Sequence, residues 1–237
     1  MPNLLTKHIP NTLTSCNLIS GCIATVFALS ANYSMALSFI VLGAVFDFFD
    51  GMSARLLGVS SPIGKELDSL ADDVTFGVAP SSMIFSVLFT LEYPSWIPLS
   101  VVPFLPYVAF VMAAFSAIRL AKFNLDERQT TSFIGLPTPA NALFWGALIV
   151  GCDDMLGAFP SVALILLAMV FVSSWILVAE IPMFALKFKH WGWSENKVKY
   201  VFIISCVPIL LFFGITGISV IIAWYILLSI LTAKRNA

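Results

Sequence analysis

Residues 33–91 read YSMALSFIVLGAVFDFFDGMSARLLGVSSPIGKELDSLADDVTFGVAPSSMIFSVLFTL, a pair of long apolar runs joined by a short polar turn. A helix that crosses the hydrocarbon core of a bilayer needs about 20 mostly apolar residues. Both runs reach that length, so the stretch predicts a hairpin of membrane helices over residues 33–57 and 66–91. Aspartates nevertheless stand near the end of the first run and the start of the second.

The composition of the whole chain also predicts a membrane protein. Of its 237 residues, 59% are hydrophobic and only 11% are charged, whereas a soluble domain carries roughly 25% charged residues. The net charge of −1 gives no argument for nucleic-acid binding, so no nucleic-acid partner is expected. The first ten residues lack the pattern of a cleaved signal peptide, so the first apolar stretch is expected to remain as a helix.

Outward from the hairpin, hydropathy predicts an all-α polytopic membrane helix bundle that forms a single domain over residues 1–237. About eight transmembrane helices are expected, and the last pair, within residues 198–233, is expected to be a peripheral addition to the catalytic hairpin 33–91. The predicted spans are 12–30, 33–57, 66–91, 96–121, 139–153, 159–186, 198–213 and 215–233.

The basic residues predict the orientation of this bundle. With eight spans, all 12 Lys and Arg residues fall at the termini or in the even-numbered turns, which share one side of the membrane. The opposite turns hold only Glu92, Asp153 and Asp154. Because Lys and Arg concentrate on the cytoplasmic side, both termini and the basic face are expected inside the cell. The basic residues are Lys7, Arg55, Lys65, Arg119, Lys122, Arg128, Lys187, Lys189, Lys197, Lys199, Lys234 and Arg235.

The aspartates of the hairpin are spaced for a shared site. An ionised carboxylate inside a membrane helix costs roughly 3 kcal/mol or more and commonly marks function. Asp47 and Asp50 are three residues apart, while Gly64, Asp68 and Asp72 follow one another at intervals of four, so each set lies on one helical face. Across a helix hairpin, the four carboxylates of Asp47, Asp50, Asp68 and Asp72 are predicted to form one cluster.

Such a cluster favours hard divalent cations. Adjacent negative charges repel one another, and all-oxygen ligands suit Mg²⁺ or Mn²⁺, so a pair of these ions would neutralise the site. Gly51, Ala54 and Gly64 lack bulk where a ligand would approach the helices. Arg55 could bind phosphate oxygens through both arms of its guanidinium group.

A structural alternative stays open for these acids. The carboxylates could cap helix ends or pair with Arg55 and Lys65. Asp73 lies about 100° around the helix from Asp72, and for Asp73 the structural role is the better interpretation.

The string Asp47-x-x-Asp50-Gly51-x-x-Ala54-Arg55, eight residues, Gly64-x-x-x-Asp68-x-x-x-Asp72 resembles the complete signature of the CDP-alcohol phosphatidyltransferase family. The resemblance implies a helical membrane fold, a homodimer and a two-metal site on the cytoplasmic side. It assigns metal binding to the first three aspartates, and it makes Asp72 both a ligand and the general base. It also implies that the CDP site is shaped by Gly51, Ala54, Arg55 and Gly64.

Further segments resemble the phosphatidylserine synthase branch of that family. They are the run from Arg119 to Asn124, the run from Phe133 to Ala142, and the opening Ile9–Thr14 with Asn17. This branch implies transfer of a phosphatidyl group from CDP-diacylglycerol to the hydroxyl of L-serine, giving phosphatidylserine and CMP by direct displacement. The protein is expected to lie in, and contact, membrane lipid.

The contacts with serine and nucleotide remain open in the sequence. Arg119 or Lys122 could bind the serine carboxylate, although membrane anchoring explains both equally well, and Asn124 is a further polar candidate. Asn11 and Thr14 could contact the nucleotide or cap the first helix.

Other functions are compatible with parts of the pattern. A sister transferase would use glycerol 3-phosphate or an inositol phosphate, and it should gather more basic residues beside the aspartates. A metal or proton transporter would show inverted repeats and broken helices at mid-membrane, and no convincing repeat is evident in the sequence.

Overall fold

The computed structural model describes residues 8–59, 61–126, 133–184, 186 and 192–233. Of the predicted basic-face residues, Lys7, Arg128, Lys187, Lys189, Lys234 and Arg235 lie outside these ranges. In the described chain the α-helices are α1 (Ile9–Leu29), α2 (Tyr33–Leu57), α3 (Pro62–Asp72), α4 (Ala79–Thr90), α5 (Val111–Leu125), α6 (Thr138–Gly151), α7 (Asp153–Leu156), α8 (Ser161–Val178), α9 (Trp193–Phe213) and α10 (Thr216–Ala233). A π-helix (Asp73–Val78) joins α3 to α4, and a 3₁₀-helix (Val102–Phe110) leads into α5.

The predicted all-α polytopic membrane fold is confirmed. In the described chain, six helical segments are long and apolar enough to cross a bilayer. Shorter apolar helices cover Thr138–Gly151 and Thr216–Thr232, where the fifth and eighth spans are predicted. The count of eight spans and the cytoplasmic side of the termini stay predictions. The segments that meet the length are Ile9–Leu29, Tyr33–Leu57, Pro62–Thr90, Val102–Leu125, Ser161–Val178 and Asn196–Phe213.

Local signals in the sequence set the ends of the α2–α3 hairpin. The side chain of Asn32 accepts a hydrogen bond from the Met35 amide at the start of α2, which satisfies one unpaired donor of that helix end. Gly58 ends α2 in the left-handed conformation, with φ of 62°. Ser61 Oγ then accepts from the Gly64 amide, so α3 begins at Pro62 rather than at residue 66.

The π-helix is a feature that the sequence pattern did not predict. Its six residues, Asp73–Val78, directly follow Asp72 in the middle of the Pro62–Thr90 segment. A π-turn holds one residue more than an α-turn and occurs frequently at functional sites. The second half of this segment therefore faces a direction that a continuous α-helix would not give.

The buried core lies around α4 and α6. Phe76, Met83, Ile84 and Trp145 are fully buried and are among the largest side chains that the fold encloses. α1 packs along α2 and also contacts α3 and the π-helix, while α10 packs on α6 and α9 packs on α10. The hairpin and α1 thus form one unit on the side where the aspartates lie.

The sixth predicted span, 159–186, is wrong at its end. α8 stops at Val178, and Pro182–Met183 then pairs antiparallel with Phe133–Ile134. Glu180, which the span prediction buried inside a helix, lies exposed beyond the helix end. The extended backbone at Ala179 and the proline at 182 explain the break, because proline cannot continue a helix with its hydrogen bonding intact.

Candidate active site

Of the four carboxylates that the spacing predicted to form one cluster, three meet at the α2–α3 hairpin. Asp47, Asp50 and Asp68 each place a carboxylate oxygen so that these atoms lie within 4.8 Å of one another. Asp50 is 5% exposed, while Asp47 and Asp68 are half-buried. Asp72 is 9% exposed and close enough to feel the charges of Asp47 and Asp68. Asp72 therefore borders a compact group of three carboxylates.

This group has the chemistry of a divalent-metal site. Oδ1 of Asp68 is buried and has no hydrogen-bond partner in the described chain. An unpaired buried carboxylate oxygen costs free energy unless a cation or donor meets it. Three carboxylates within ligand distance of one another would supply oxygen ligands for Mg²⁺ or Mn²⁺. The residues present therefore fit the metal ions that the family resemblance implies.

The first helix supplies donors to this acidic group, although it carries no acidic residue itself. Thr14 Oγ1 donates to Asp50 Oδ2 at 2.7 Å, and Asn17 Nδ2 donates to Asp72 Oδ1 at 3.0 Å. Thr14 and Asn17 stand three residues apart, so they share one face of α1. The role of Thr14 toward Asp50 was not predicted from the sequence. Neither was the contact of Asn17 with Asp72, because both depend on how α1 packs across the hairpin.

A cavity of about 470 Å³ opens beside the acidic group. Its lining includes five residues that the sequence assigned to the CDP site: Asn11, Thr14, Gly51, Ala54 and Gly64. Asp50 and Asp68 belong to the same lining, so the cavity joins the predicted nucleotide site to the carboxylates. It also includes His8, Ser61 and Lys65, which were not predicted from the sequence to line it.

Small residues keep this cavity open. A methyl group added at Gly64 would lie 3.0 Å from both Asn11 Oδ1 and Ser61 Oγ, at the lower limit of what a carbon atom tolerates. At Gly51 the nearest atom would be Nη1 of Arg55, at 3.6 Å. The Arg55 side chain thus extends along α2 toward Gly51. Arg55, which the sequence also assigned to the CDP site, is exposed and does not belong to the lining of the cavity.

Of the residues predicted to bind serine, Arg119 is the one whose charge interacts with that of Asp72 in the described chain. It is 7% exposed, its Nε has no hydrogen-bond partner in the described residues, and its charge acts on Asp72. Its guanidinium carbon lies 5.0 Å from the centre of the Phe123 ring. The structure thus places a buried cation with unused donor capacity near the carboxylate group.

Lys122 and Asn124 lie further along α5. Lys122 is exposed, and Asn124 Nδ2 donates to Ser69 Oγ at 2.7 Å. The carbonyl of Asn124 accepts from Lys65 Nζ at 2.7 Å. These contacts tie the end of α5 to α3, and the structure does not bring either side chain to the lining of the cavity.

Asp73 points away from the acidic group, as its helical position predicted. Its Oδ1 is buried without a partner in the described chain and lies beside Gly77, where an added methyl group would approach it to 2.6 Å. Ser116 of α5 lies on the other side of the same glycine, 3.0 Å from that methyl position. Asp73 therefore belongs to the packing of the π-helix against α5.

Comparison with known proteins agrees with this geometry. Residues 7–152 match the family model for CDP-alcohol phosphatidyltransferase. A CDP-diacylglycerol–serine O-phosphatidyltransferase of Bacillus subtilis is 42% identical over 135 residues, which cover 56% of this chain and 70% of that protein. The protein of the same name in Methanocaldococcus jannaschii is 32% identical over 167 residues, covering 70% of this chain and 71% of its own.

The match spans a smaller share of other relatives. A CDP-diacylglycerol–serine O-phosphatidyltransferase of Mycobacterium leprae is 33% identical over 142 residues, which cover 57% of this chain but only 44% of that protein. The family model covers α1–α6 and therefore includes the four aspartates of the signature and the residues that line the cavity. The resemblance read from the aspartate signature is confirmed, and the chain belongs to the CDP-alcohol phosphatidyltransferase family.

Proposed function

We propose that this chain transfers the phosphatidyl group of CDP-diacylglycerol to the hydroxyl of L-serine, giving phosphatidylserine and CMP. The observation that carries the proposal is the meeting of three carboxylates, within 4.8 Å of one another, with a cavity lined by the small residues of the family signature. The names of the relatives support serine as the acceptor.

The cavity beside α2 and α3 is the proposed place of the CDP group. Its volume of about 470 Å³ lies within the range of cavities that hold small molecules. Arg55 and Lys65 offer positive charge next to it, which favours a diphosphate. The diacylglycerol tails would then extend into the surrounding lipid, since the exposed residues Phe48 and Phe49 of α2 are apolar.

Asp47, Asp50, Asp68 and Asp72 are the proposed ligands of two divalent ions. When bound, such ions would neutralise charge on the diphosphate and on the departing phosphate. The protein's own part is to hold the four carboxylates against their mutual repulsion, with Thr14 donating to Asp50 and Asn17 donating to Asp72. Those donors also restrict the rotation of the two carboxylate groups.

Asp72 is the proposed general base. In the transfer, the serine oxygen forms a bond to the phosphorus that carries diacylglycerol, and the bond from that phosphorus to the bridging oxygen of CMP breaks. The proton of the serine hydroxyl passes to the Asp72 carboxylate, and CMP leaves with the bridging oxygen. Direct attack suits this site because Ser61, the serine in the lining, accepts from the Gly64 amide at the start of α3, and no base is its hydrogen-bond partner in the described chain.

Arg119 is the proposed contact for the serine carboxylate. It is buried, lies close enough to Asp72 for their charges to interact, and keeps an unpartnered Nε in the described chain. A guanidinium group can bind a carboxylate through two parallel hydrogen bonds. The acceptor would thus be held with its carboxylate on Arg119 and its hydroxyl on Asp72.

The test is release of CMP by purified protein supplied with CDP-diacylglycerol and Mn²⁺ or Mg²⁺. L-Serine, glycerol 3-phosphate and inositol phosphate are compared as acceptors, and Asp72→Asn is compared with Asp73→Asn. We expect release with L-serine, loss of at least about 1,000-fold in Asp72→Asn, and near wild-type activity in Asp73→Asn. Release with another acceptor alone would replace serine by a sister substrate, and release by none would overturn the proposal.

The homodimer and the cytoplasmic placement of the site belong to the same proposal. A monomer by mass measurement in native-like lipid would remove the dimer. For the orientation, a cysteine introduced at the exposed Glu66 of α3 should react with a membrane-impermeant thiol reagent in inverted vesicles and not in intact cells. The reverse labelling pattern would place the site on the outer side.

A further inference from the structure

Asn17 is the buried amide that connects α1 to the proposed base. Its side chain is fully buried, and Nδ2 donates to Oδ1 of Asp72 at 3.0 Å. Oδ1 of Asn17 has no hydrogen-bond partner in the described residues. Nothing in the aspartate signature includes this residue, because it lies 55 positions before Asp72 in the chain.

The π-helix holds Asn17 in place from the other side. Thr75, also fully buried, donates from Oγ1 to the backbone carbonyl of Asn17 at 3.0 Å. Gly21 and Gly43 allow this close approach: an added methyl group at Gly21 would lie 2.7 Å from the Thr75 Cα, and one at Gly43 would lie 2.9 Å from Asn17 Oδ1. The backbone carbonyl of Asn17 is thus held by Thr75 and its side-chain amide by Asp72. Gly21 and Gly43, which allow this packing, leave no room for a larger side chain.

A carboxylate that accepts a hydrogen bond at one oxygen has its rotation restricted, and its other oxygen stays free of that bond. Side chains that hydrogen-bond to metal ligands orient them, and replacing such partners commonly lowers metal affinity or activity by about 10-fold to 100-fold. Because the Asn17 amide is neutral, it can orient Asp72 without pairing its charge. A lysine or arginine in the same place would compete with metal ions for that charge.

We propose that Asn17 is a positioning residue that holds Oδ1 of Asp72 and so directs its other oxygen to the acceptor hydroxyl and the metal site. The inference rests on the proposed function, since it assigns Asn17 a role through Asp72. If Asn17 served packing alone, its replacement would lower stability without changing metal binding or turnover by the folded enzyme.

The experiment compares Asn17→Ala with Ser20→Ala. Ser20 is the matched control because it lies one turn later on α1, is 3% exposed, and loses a single bond to the Cys16 carbonyl when truncated. Each protein is purified, freed of metal, and titrated with Mn²⁺ while free Mn²⁺ is followed by electron paramagnetic resonance. Thermal unfolding is recorded on the same samples, and kcat and the KM for L-serine are then measured with metal restored.

For Asn17→Ala we expect the Mn²⁺ dissociation constant to rise about 10-fold and kcat to fall between about 10-fold and 100-fold, with the KM for L-serine near that of the wild type. Ser20→Ala should keep wild-type Mn²⁺ binding and kcat. The proposal is overturned if folded Asn17→Ala binds Mn²⁺ and turns over like Ser20→Ala, whatever its melting temperature.

A second variant decides the case if Asn17→Ala does not fold. Asn17→Ser keeps a small polar side chain, but its hydroxyl is too short for Asp72 and would bond back to the carbonyl one turn earlier. It should show the same loss of Mn²⁺ affinity and kcat, and wild-type values would overturn the proposal. A wild-type protein that releases no CMP with serine would refute the proposed function instead, while the Mn²⁺ titration would still test whether Asn17 supports the metal site.

Discussion

The contact of α1 with the π-helix predicts a large effect for Gly21→Ala. The added methyl carbon would lie 2.7 Å from Cα and 2.9 Å from the backbone nitrogen of Thr75, whereas carbon atoms rest about 3.5–4.0 Å apart. Backbone atoms cannot rotate away as a side-chain tip can, so α1 must move by roughly 1 Å. That movement stretches the bond from Thr75 to the Asn17 carbonyl, now 3.0 Å.

The magnitude follows from these contacts. Overpacking costs about 1–3 kcal/mol, and the weakened hydrogen bond adds about 1 kcal/mol. A loss of roughly 2–4 kcal/mol lowers the melting temperature of a chain of this size by about 4–16 °C. Because the shift also displaces Asn17, CMP release by the folded variant should fall by about 10-fold or more.

Thermal unfolding in detergent and the CMP assay below the melting temperature measure both effects. The matched control is Gly157→Ala, since an added methyl group there meets no atom within 4 Å, and we expect it to behave as wild type. A Gly21→Ala protein with the melting temperature and activity of Gly157→Ala would refute the argument, because α1 would then have room beside the π-helix.

Two further changes test other parts of the structure. Arg119→Gln should raise the KM for L-serine at least about 10-fold with little change in the KM for CDP-diacylglycerol, because it removes the proposed carboxylate contact. The control Lys122→Gln, on the exposed side of α5, should leave both KM values near wild type. Equal effects of the two substitutions would contradict the assignment of Arg119. Gly135→Ala should lower the free energy of unfolding by about 2 kcal/mol or more. The reason is that Gly135 has φ of +76° and that an added methyl group would lie 3.2 Å from the Ala179 carbonyl oxygen. A melting temperature equal to that of Gly157→Ala would contradict this expectation, because the turn would then tolerate a side chain.

The sequence was informative where a local rule decides the structure. Hydropathy located the helices, and the intervals of three and four residues among the aspartates brought Asp47, Asp50 and Asp68 together, since helical spacing converts directly into a shared face. The caps at Asn32 and Ser61 obey equally local rules. The small residues Gly51, Ala54 and Gly64 line one cavity for the same reason.

Prediction failed where distant segments decide the structure. The donors on α1 to Asp50 and Asp72 depend on the packing of three helices, and hydropathy contains no information about it. The π-helix has no hydropathy signature, because its residues are as apolar as those of an α-helix. The early end of α8 has a local signal in Pro182, to which a search for long apolar runs gives no weight. The pairing of Pro182–Met183 with a segment about fifty residues earlier is not detected by that search either.

The π-helix also sets the phase between the two halves of the longest membrane segment. Each residue of an α-helix turns the chain by about 100°. A π-turn takes up one extra residue within a single turn, so the residues after it face a different direction than they would in a regular α-helix of the same length. Asp68 can therefore line the cavity, with Asp72 one turn further along, while Met83 and Ile84, on the same continuous helix, lie in the buried core. If residues 73–78 adopted regular α-helical hydrogen bonding with the same number of residues, the core-facing side chains would turn by roughly 100° relative to the carboxylates. The helix could then satisfy one neighbour or the other but not both.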